Sequence, residues 1–593
     1  MNAEPPAESL PRSGGQPGVP EAVRLVIWDL DETFWHGTLT EGGIKWNEHA
    51  AETVRELARR GIISAICSKN DPAPVQAVLA EHDFTDYFVF PSISWEPKGP
   101  RLATLIEQIQ LRAPTVLFID DNPMNRAEAE HFAPGIQVAN ETIITTLLAD
   151  PRLRGKPDPG LTRLAQYKLL ERRATEQAQS GTDTAAFLRA SEITVSIEHD
   201  IDAHIDRAIE LINRTNQLNF TKQRLPEDPI RARAALRTLL QEHNIQAGLL
   251  RVRDRYGDYG FVGIYIMLSQ RRVGRQLHYF AFSCRILGMG IETWLYRRLE
   301  RPKLNVVGDV LTNVHDEEAE TPDWITVAPI DAQAAAPAAH RLKYVLARGA
   351  CDMRALAHYF SLVTDHVVEE FDQVRNGQLP LCNHSAIAAQ AIESFPREAA
   401  IDFAPFGYRP KDFKPFMAGH LPPGPAVWLL SFSIEVGIPL FRHRLTGAMM
   451  PVQFVGLKTS PELVLKADPS ETGIDPELVA HLRENFIYAG PPTDADVRAN
   501  LRTILRAAPG DVRVFILLGN EHIRTAAGRL AVAQNIHHRN KLVSQVAAEF
   551  GHVTLIAPTD IMSGTELALL KRPHHYDRMV YHRIFEYILE RLN

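Results

Sequence analysis

The chain has 593 residues, 45% of them hydrophobic and 23% charged, and carries a net charge of −8 from 64 Lys+Arg against 72 Asp+Glu. That length exceeds a single hydrophobic core, so about three to four domains are expected, and the acidic balance excludes the broad basic surface that nucleic-acid binding needs. No run of about eighteen uncharged apolar residues is present and the four cysteines lack metal-ligand or disulfide-framework spacing, so no membrane partner is expected and the cytoplasm is the expected compartment. Residues 1–22, rich in Pro, Gly, Ala and Ser, read as a disordered tail rather than a signal peptide. A first domain is expected over 23–150. There strand-like runs at 23–29, 62–67 and 115–119 alternate with helical stretches at Ala50–Arg60, Pro74–Glu81 and Arg101–Gln110, the pattern of a parallel sheet. Residues 151–186 read as a connecting helix and linker, amphipathic at Leu161–Ala178. A second domain over 187–330 contains a helix at Ile205–Ile212, a turn-rich stretch at Asp254–Gly260 and a strand at His278–Phe282. An Ala/Pro-rich linker at 331–341 leads to a third domain over 342–593, where strands at Ala426–Phe432, Val512–Leu518 and Val553–Ala557 alternate with helices. The fold class is thus multidomain α/β.

The chemistry is concentrated near the N-terminus. Residues 25–33 read Leu-Val-Ile-Trp-Asp-Leu-Asp-Glu-Thr, a buried-strand pattern that delivers Asp29 and Asp31 at its carboxyl end, where α/β sheets place their sites. One carboxylate can attack phosphorus while its neighbour moves the leaving group's proton, with Mg2+ offsetting the repulsion between carboxylates and phosphate. Three later pieces complete a set. Ile62–Cys67 ends in Ser68, a donor to a phosphoryl oxygen; Lys98 is a cation for developing charge; and Val116–Ile119 runs into Asp120 and Asp121, acidic metal ligands. The elements and their order resemble the haloacid dehalogenase (HAD) phosphatase superfamily. That resemblance implies Asp29 as nucleophile, Asp31 as acid/base, and Mg2+ held by Asp29 and Asp120 with the Asp31 backbone carbonyl, Asp121 replacing or assisting Asp120. Only positions 34–67 lie between Thr33 and Ser68, and 99–119 between Lys98 and Asp120, which leaves no room for an inserted cap domain. An open site suits a large substrate, such as a protein-borne group, or closure by the next domain of the same chain.

In the second domain Arg285-x-x-Gly288-x-Gly290 lies between a strand and a helix, where small residues let backbone N–H groups reach a phosphate. It resembles the pyrophosphate loop of GNAT-type acyltransferases, which hold coenzyme A or a phosphopantetheine arm. Taken together, Asp29–Gly37, Ala65–Asp71, Phe118–Pro123, Asn213–Asn219, Asp254–Gly260 and Ser283–Gly288 resemble the FkbH-like family over about residues 23–345. The resemblance implies an enzyme that takes the glyceryl group of 1,3-bisphosphoglycerate, removes its phosphates and delivers it to the phosphopantetheine thiol of an acyl carrier protein in polyketide or related antibiotic assembly. Cys67, beside Ser68, is a candidate acyl-carrying thiol, its thiolate favoured by Lys98 or Mg2+; equally, it is a small core residue at a strand end. Cys284 is the second candidate. Met124-Asn125 stand after Asn122-Pro123 where the family commonly has an acidic residue, which leaves the substrate less determined than the chemistry.

The third domain lies beyond that resemblance. Val345–Asp352 with Cys351, Phe515–Asn520, and Pro573-His574-His575-Tyr576-Asp577 follow the order of a nucleophile, an oxyanion-donating Asn and a terminal His/Asp block, which resembles SGNH-type esterases and acyltransferases with Cys351 in place of serine. Cys351 is then a thiol nucleophile, part of an inactive binding module, or a chance likeness. Two alternatives to carrier loading remain at this stage: a phosphatase on a small phosphate ester with non-catalytic later domains, and a carrier-docking scaffold.

Overall fold

The computed structural model describes residues 20–592 apart from 180–182, 243, 271–273, 320, 329–341, 350–352, 363, 365, 373, 376, 525–529, 564–565 and 567–575. The disordered tail, the Ala/Pro linker, Cys351, His574 and His575 therefore lie outside the described residues, the tail but for its last three positions. The chain divides into two compact units, one of residues 1–191 with 255–257, the other of 192–254 with 258–593. Both are α/β. No described helix is long and apolar enough to cross a membrane.

The first unit is a parallel sheet of β1 (Leu25–Trp28), β2 (Ile63–Ser68), β3 (Ser92–Ile93), β4 (Val116–Ile119) and β5 (Gln137–Ala139), in the order β3-β2-β1-β4-β5. The register sets Trp28 beside both Ile66 and Ile119, so β1 and β4 end at one level and β2 runs two residues further, to Ser68. These three strands are apolar on both faces because helices cover both. The helices are α1 (Glu48–Arg59), α2 (Pro72–Glu81), α3 (Lys98–Ile109) and α4 (Pro123–Phe132). Helix α1 starts where the Asn47 side chain accepts from the His49 and Ala50 amides; α4 starts where Asn122 accepts from Met124 N and Pro123 supplies a preset φ. Between Thr33 and Ser68 the chain holds α1 and a short flap over 36–45, closed by a reciprocal backbone pair between His36 and Lys45. Gly37 makes that flap possible: its φ is +88°, and a Cβ there would sit 2.6 Å from the Gly43 oxygen. The expected connecting helix runs over Thr162–Gln179 (α5) and packs Leu164 and Tyr167 into the core under β1, β2 and β4.

The second unit carries two further main sheets. One has the order β10-β6-β7-β8-β9, with β6 (Ile193–Glu198), β7 (Ile245–Asp254), β8 (Gly257–Gln270), β9 (Gly274–Phe282) and β10 (Ile325–Val327); β6 to β9 pair antiparallel where their register is defined, and β10 joins β6 in parallel. The stretch Asp254–Gly260, read as a turn, is the end of β7, the turn and the start of β8. The other is fully parallel, its strands lying in the order Val367–Phe371, Tyr344–Gly349, Ala426–Leu430, Val512–Leu517, Val553–Ile556. Helices Met353–Ser361 and Arg578–Leu592 cover one of its faces; Asp494–Arg506 and Gln534–Ala547 cover the other. A four-stranded antiparallel sheet with its own core, built from Gln378–Pro380, Leu440–His443, Met449–Phe454 and Phe486–Gly490, was not expected. Its short, proline-bearing strands lack a clear alternating pattern.

Within this unit a buried seam of aromatic and basic groups joins the first sheet to the helices of the second. Tyr265 OH and His358 Nε2 share a hydrogen bond of 2.9 Å, Tyr359 OH donates to the Arg578 carbonyl at 2.9 Å, and Arg578 donates to the His199 carbonyl at 2.6 Å. The His199 ring lies 4.8 Å from Tyr359 and 4.9 Å from His582. Burial pushes His358 down to about 3 and His582 to about 4, and drives His199 well below its usual range. The unfolded chain thus takes up these protons first, so the stability they hold above about pH 6.5 is lost as pH falls through the interval toward 4. Calorimetry should show the second unit's transition dropping by several degrees between pH 7 and pH 5. The slope should be smaller in His582→Leu; an identical slope in that variant would remove the seam as its cause.

Candidate active site

All the carboxylates of the predicted site emerge at the carboxyl edge of the first sheet. Asp29 follows β1, its N–H bonded to Ile119 O at 2.9 Å, and Asp120 follows β4, its N–H bonded to Ala139 O at 3.2 Å. Neighbouring parallel strands in register therefore deliver the two side chains to one point. Lys98 Nζ lies 2.6 Å from Asp29 Oδ1 and 2.6 Å from Asp120 Oδ2. Lys98 is only 1% exposed and opens α3, where the helix dipole opposes a cation. Two carboxylates hold it there: burial works against its charge, but Asp29 and Asp120 together raise its pKa.

Asp29, Asp120 and Asp121 each offer a carboxylate oxygen within 4.8 Å of the others. Clustered carboxylate oxygens suit a hard cation such as Mg2+, and one lysine cannot neutralise three acids. Burial raises Asp29 to about 6, with the Lys98 charge opposing and the Asp120 charge adding to the shift; Asp121 is also raised, first by burial and then by Asp120. Such surroundings favour a bound cation over bare carboxylates. The Asp31 side chain stands outside this group. Its Oδ1 accepts from Trp35 Nε1 at 2.8 Å and Leu39 N at 3.2 Å, and its Oδ2 from Asn70 Nδ2 at 3.0 Å. Directly after Asp31, Glu32 adopts φ 51°, an uncommon turn for a residue with a side chain. That turn brings Thr33 Oγ1 under the Asp121 amide at 3.1 Å.

Ser68 is buried at the end of β2, its hydroxyl accepting from Asn70 Nδ2 at 3.3 Å. Arg101 ties the segment before Lys98 to this strand end. Its guanidinium donates to Ser68 O at 3.0 Å, Ser94 O at 2.7 Å and Glu96 O at 3.2 Å, and also to Ser92 O. Arg101→Ala should lower turnover roughly 10- to 100-fold, because misplacing Lys98 by about 1 Å costs on that scale. Phosphate-release kinetics decide it; an unchanged rate would leave Arg101 a purely structural pin. Four residues given no role in the site from the sequence complete the cage: Trp35, Asn70, Arg101 and Asn125, the last donating to both Asp120 oxygens at 3.0 and 3.1 Å. Trp35 and Asn70 lie within the motifs Asp29–Gly37 and Ala65–Asp71, and Asn125 just beyond Phe118–Pro123, but a buried indole or amide carries no chemical signature that spacing reveals.

The thiols are placed differently. Cys67 is wholly buried among Ala65, Leu102 and Phe118, and burial pushes its thiol up to about 11. These are the surroundings of a packed core side chain, the second of its two readings. Cys284 is half-buried, donates to Gln217 Oε1 at 3.1 Å, and is also raised by burial. Arg285 turns back to donate to Tyr259 O at 2.9 Å and to Ser283 Oγ at 3.3 Å. Gly288 and Gly290 have φ of +75° and +76°, and Gly290 precedes the helix Ile291–Arg298, where a Cβ would press on Pro322. In the parallel sheet of the second unit, Asn520 is spent on its own turn, donating to His522 O and accepting from His522 N.

No protein-family model and no curated protein matches the chain. Among solved structures, the N-terminal part of a Bacteroides fragilis protein containing a phosphatase domain, complexed with Mg, is 26% identical over 20% of this chain and 36% of its own length, with a TM-score of 0.19. The cobalt-bound deoxy-D-mannose-octulosonate 8-phosphate phosphatase of Haemophilus influenzae is 16% identical, covering 25% of this chain and 97% of its own, with a TM-score of 0.19. The magnesium, phosphate and KDO complex of the Moraxella catarrhalis 3-deoxy-D-manno-octulosonate 8-phosphate phosphatase is 16% identical over 27% of this chain and 94% of its own, with a TM-score of 0.17. The chain thus spans about a third of the length of the first of these.

Proposed function

We propose that this chain is a Mg2+-dependent phosphatase of capless HAD-like type that acts on a three-carbon acyl phosphate, 1,3-bisphosphoglycerate or a close analogue, and loads the glyceryl unit onto an acyl carrier protein. The observation that carries the phosphoryl chemistry is the buried ring of Asp29, Lys98 and Asp120, closed at 2.6 Å on both sides and flanked by Asp121. Asp29 attacks the phosphorus of the second phosphate, the ester, and the bond to the ester oxygen breaks, Asp31 supplying the proton that oxygen takes, so the acyl phosphate stays intact for the thiol. Asp31 then takes a proton from the water that cleaves the aspartyl-phosphate, which restores Asp29 and frees inorganic phosphate. Lys98 and Ser68 hold the phosphoryl oxygens as charge develops. Mg2+, held by Asp29, Asp120, Asp121 and the Asp31 carbonyl, supplies charge that offsets the repulsion between the carboxylates and the phosphate.

Carrier loading rests on the FkbH-like motifs of residues 23–345. In that step the phosphopantetheine thiolate attacks the activated carbonyl, a carbon–sulfur bond forms, and the acyl phosphate's carbon–oxygen bond breaks. The GNAT-like loop Arg285–Gly290 is where the arm lies, with Cys284 the nearer candidate for an enzyme-bound thioester. The parallel sheet of the second unit is the SGNH-like module, with Cys351 its candidate nucleophile. A second reading, a phosphatase without acyl transfer, is favoured by the thiols themselves: both Cys67 and Cys284 are held toward the protonated form.

Intact-mass spectrometry of a phosphopantetheinylated carrier protein, incubated with the chain, Mg2+ and enzymatically generated 1,3-bisphosphoglycerate, separates the two. A glyceryl-sized gain that is lost with Asp29→Asn supports loading; phosphate release with an unmodified carrier supports the simple phosphatase.

A further inference from the structure

We propose that Lys69 and Asn125 form a subsite for a second anionic group, a carboxylate or a second phosphate, on the small molecule whose phosphoryl group Asp29 attacks; this rests on the phosphoryl reading above. Lys69 lies between Ser68 and Asn70, both buried at the end of β2. Its ammonium comes within 3.4 Å of Asn125 Oδ1, while the other end of that amide is fastened to both oxygens of Asp120. A cation is thus parked one side chain away from the acidic cluster.

The neutral amide leaves that cation available. A carboxylate at position 125 would cancel the lysine's charge, as Asp29 and Asp120 already do for Lys98. Here no carboxylate oxygen of a described residue lies within 4.0 Å of Lys69 Nζ. Asn125 is buried and doubly anchored, so it fixes where the flexible, half-exposed lysine rests. The residue after Lys69 is fixed as well. Asn70 spends its N–H groups on Asp31 and Ser68, and its fully buried Oδ1 has no hydrogen-bond donor. A small molecule with a phosphoryl group at one end and another anion at the other would be repelled by Asp120 and Asp121 unless a cation stood beside them; Lys69 supplies it.

The test is binding to the full chain carrying Asp29→Asn, which prevents turnover, measured calorimetrically with Mg2+ for three ligands: glycerol 3-phosphate, 3-phosphoglycerate and propane-1,3-diol bisphosphate. At least one of the two doubly anionic ligands should bind about tenfold or more tightly than glycerol 3-phosphate, and which of them does so identifies the second group as carboxylate or phosphate. Adding Lys69→Met should erase the difference and Lys69→Arg should keep it. Equal affinity for all three ligands, or a difference that survives Lys69→Met, overturns the subsite. Phosphate release by the unaltered chain is read separately: an anion preference without release sinks the phosphatase reading alone, and release without a preference sinks the subsite alone.

Discussion

Asp29→Asn should abolish phosphate release, by at least about 10⁴-fold as expected for loss of a nucleophile, and should at the same time stabilise the metal-free first unit. The second half of this expectation comes from burial. Asp29 is 6% exposed and its pKa is raised from 3.8 to about 6, with desolvation the largest cause. The folded chain therefore holds this proton more tightly than the unfolded chain. The contribution is favourable below about pH 4 and is lost as pH rises through about 6, so at pH 7 the ionised side chain works against folding. An amide of the same shape removes that cost, on the order of 1–3 kcal/mol. Amide exchange of β1 and β4 in metal-free protein measures it at pH 7, and the gain should shrink toward pH 4. A less stable variant at pH 7 would show that the Lys98 contact outweighs desolvation.

Lys98→Met should move stability the other way. The lysine is the shared partner of two buried carboxylates, and its removal leaves Asp29 and Asp120 facing each other without compensation. Removing one partner from a buried charge cluster typically costs about 3–5 kcal/mol. Excess Mg2+ should recover much of the stability but not the rate, because the cation that meets developing phosphoryl charge is still missing. The pair of variants is diagnostic. Two inactive proteins from one ring, one more stable and one less stable than the parent when metal-free, are not expected of a merely structural ion-pair network; destabilisation by both would make the ring structural.

Much of the first unit was legible because its three central strands are apolar on both faces and end in chemistry-bearing residues, so β1, β2 and β4 lie within one or two positions of the runs read from the sequence. The edges were not. β3 and β5 have two and three residues and take their place from pairing with β2 and β4 rather than from any run of their own. Site legibility followed the same division. Asp29, Asp120, Asp121 and Lys98 follow strand-like runs or a short motif and lie close together, whereas the orientation of Asp31 depends on Trp35, Leu39 and Asn70, contacts that only folding brings together. Cys67 illustrates a limit of adjacency. It is next to Ser68 in the chain, but successive strand residues point to opposite faces, and its side chain enters the core with Ile63 and Ala65.

The seam in the second unit also bears on how the protein is made. The hydrogen bond from Arg578 to His199 links positions 379 apart. At a synthesis rate of about 5–20 residues per second, the surface around His199 emerges roughly 20–75 s before its partner. Through that interval His199 lacks the helix that later packs against it, whereas Tyr265 meets His358, 93 positions on, well before. The nascent chain is therefore exposed to misassembly or chaperone capture at a defined stage, which closes when the helix Arg578–Leu592 docks.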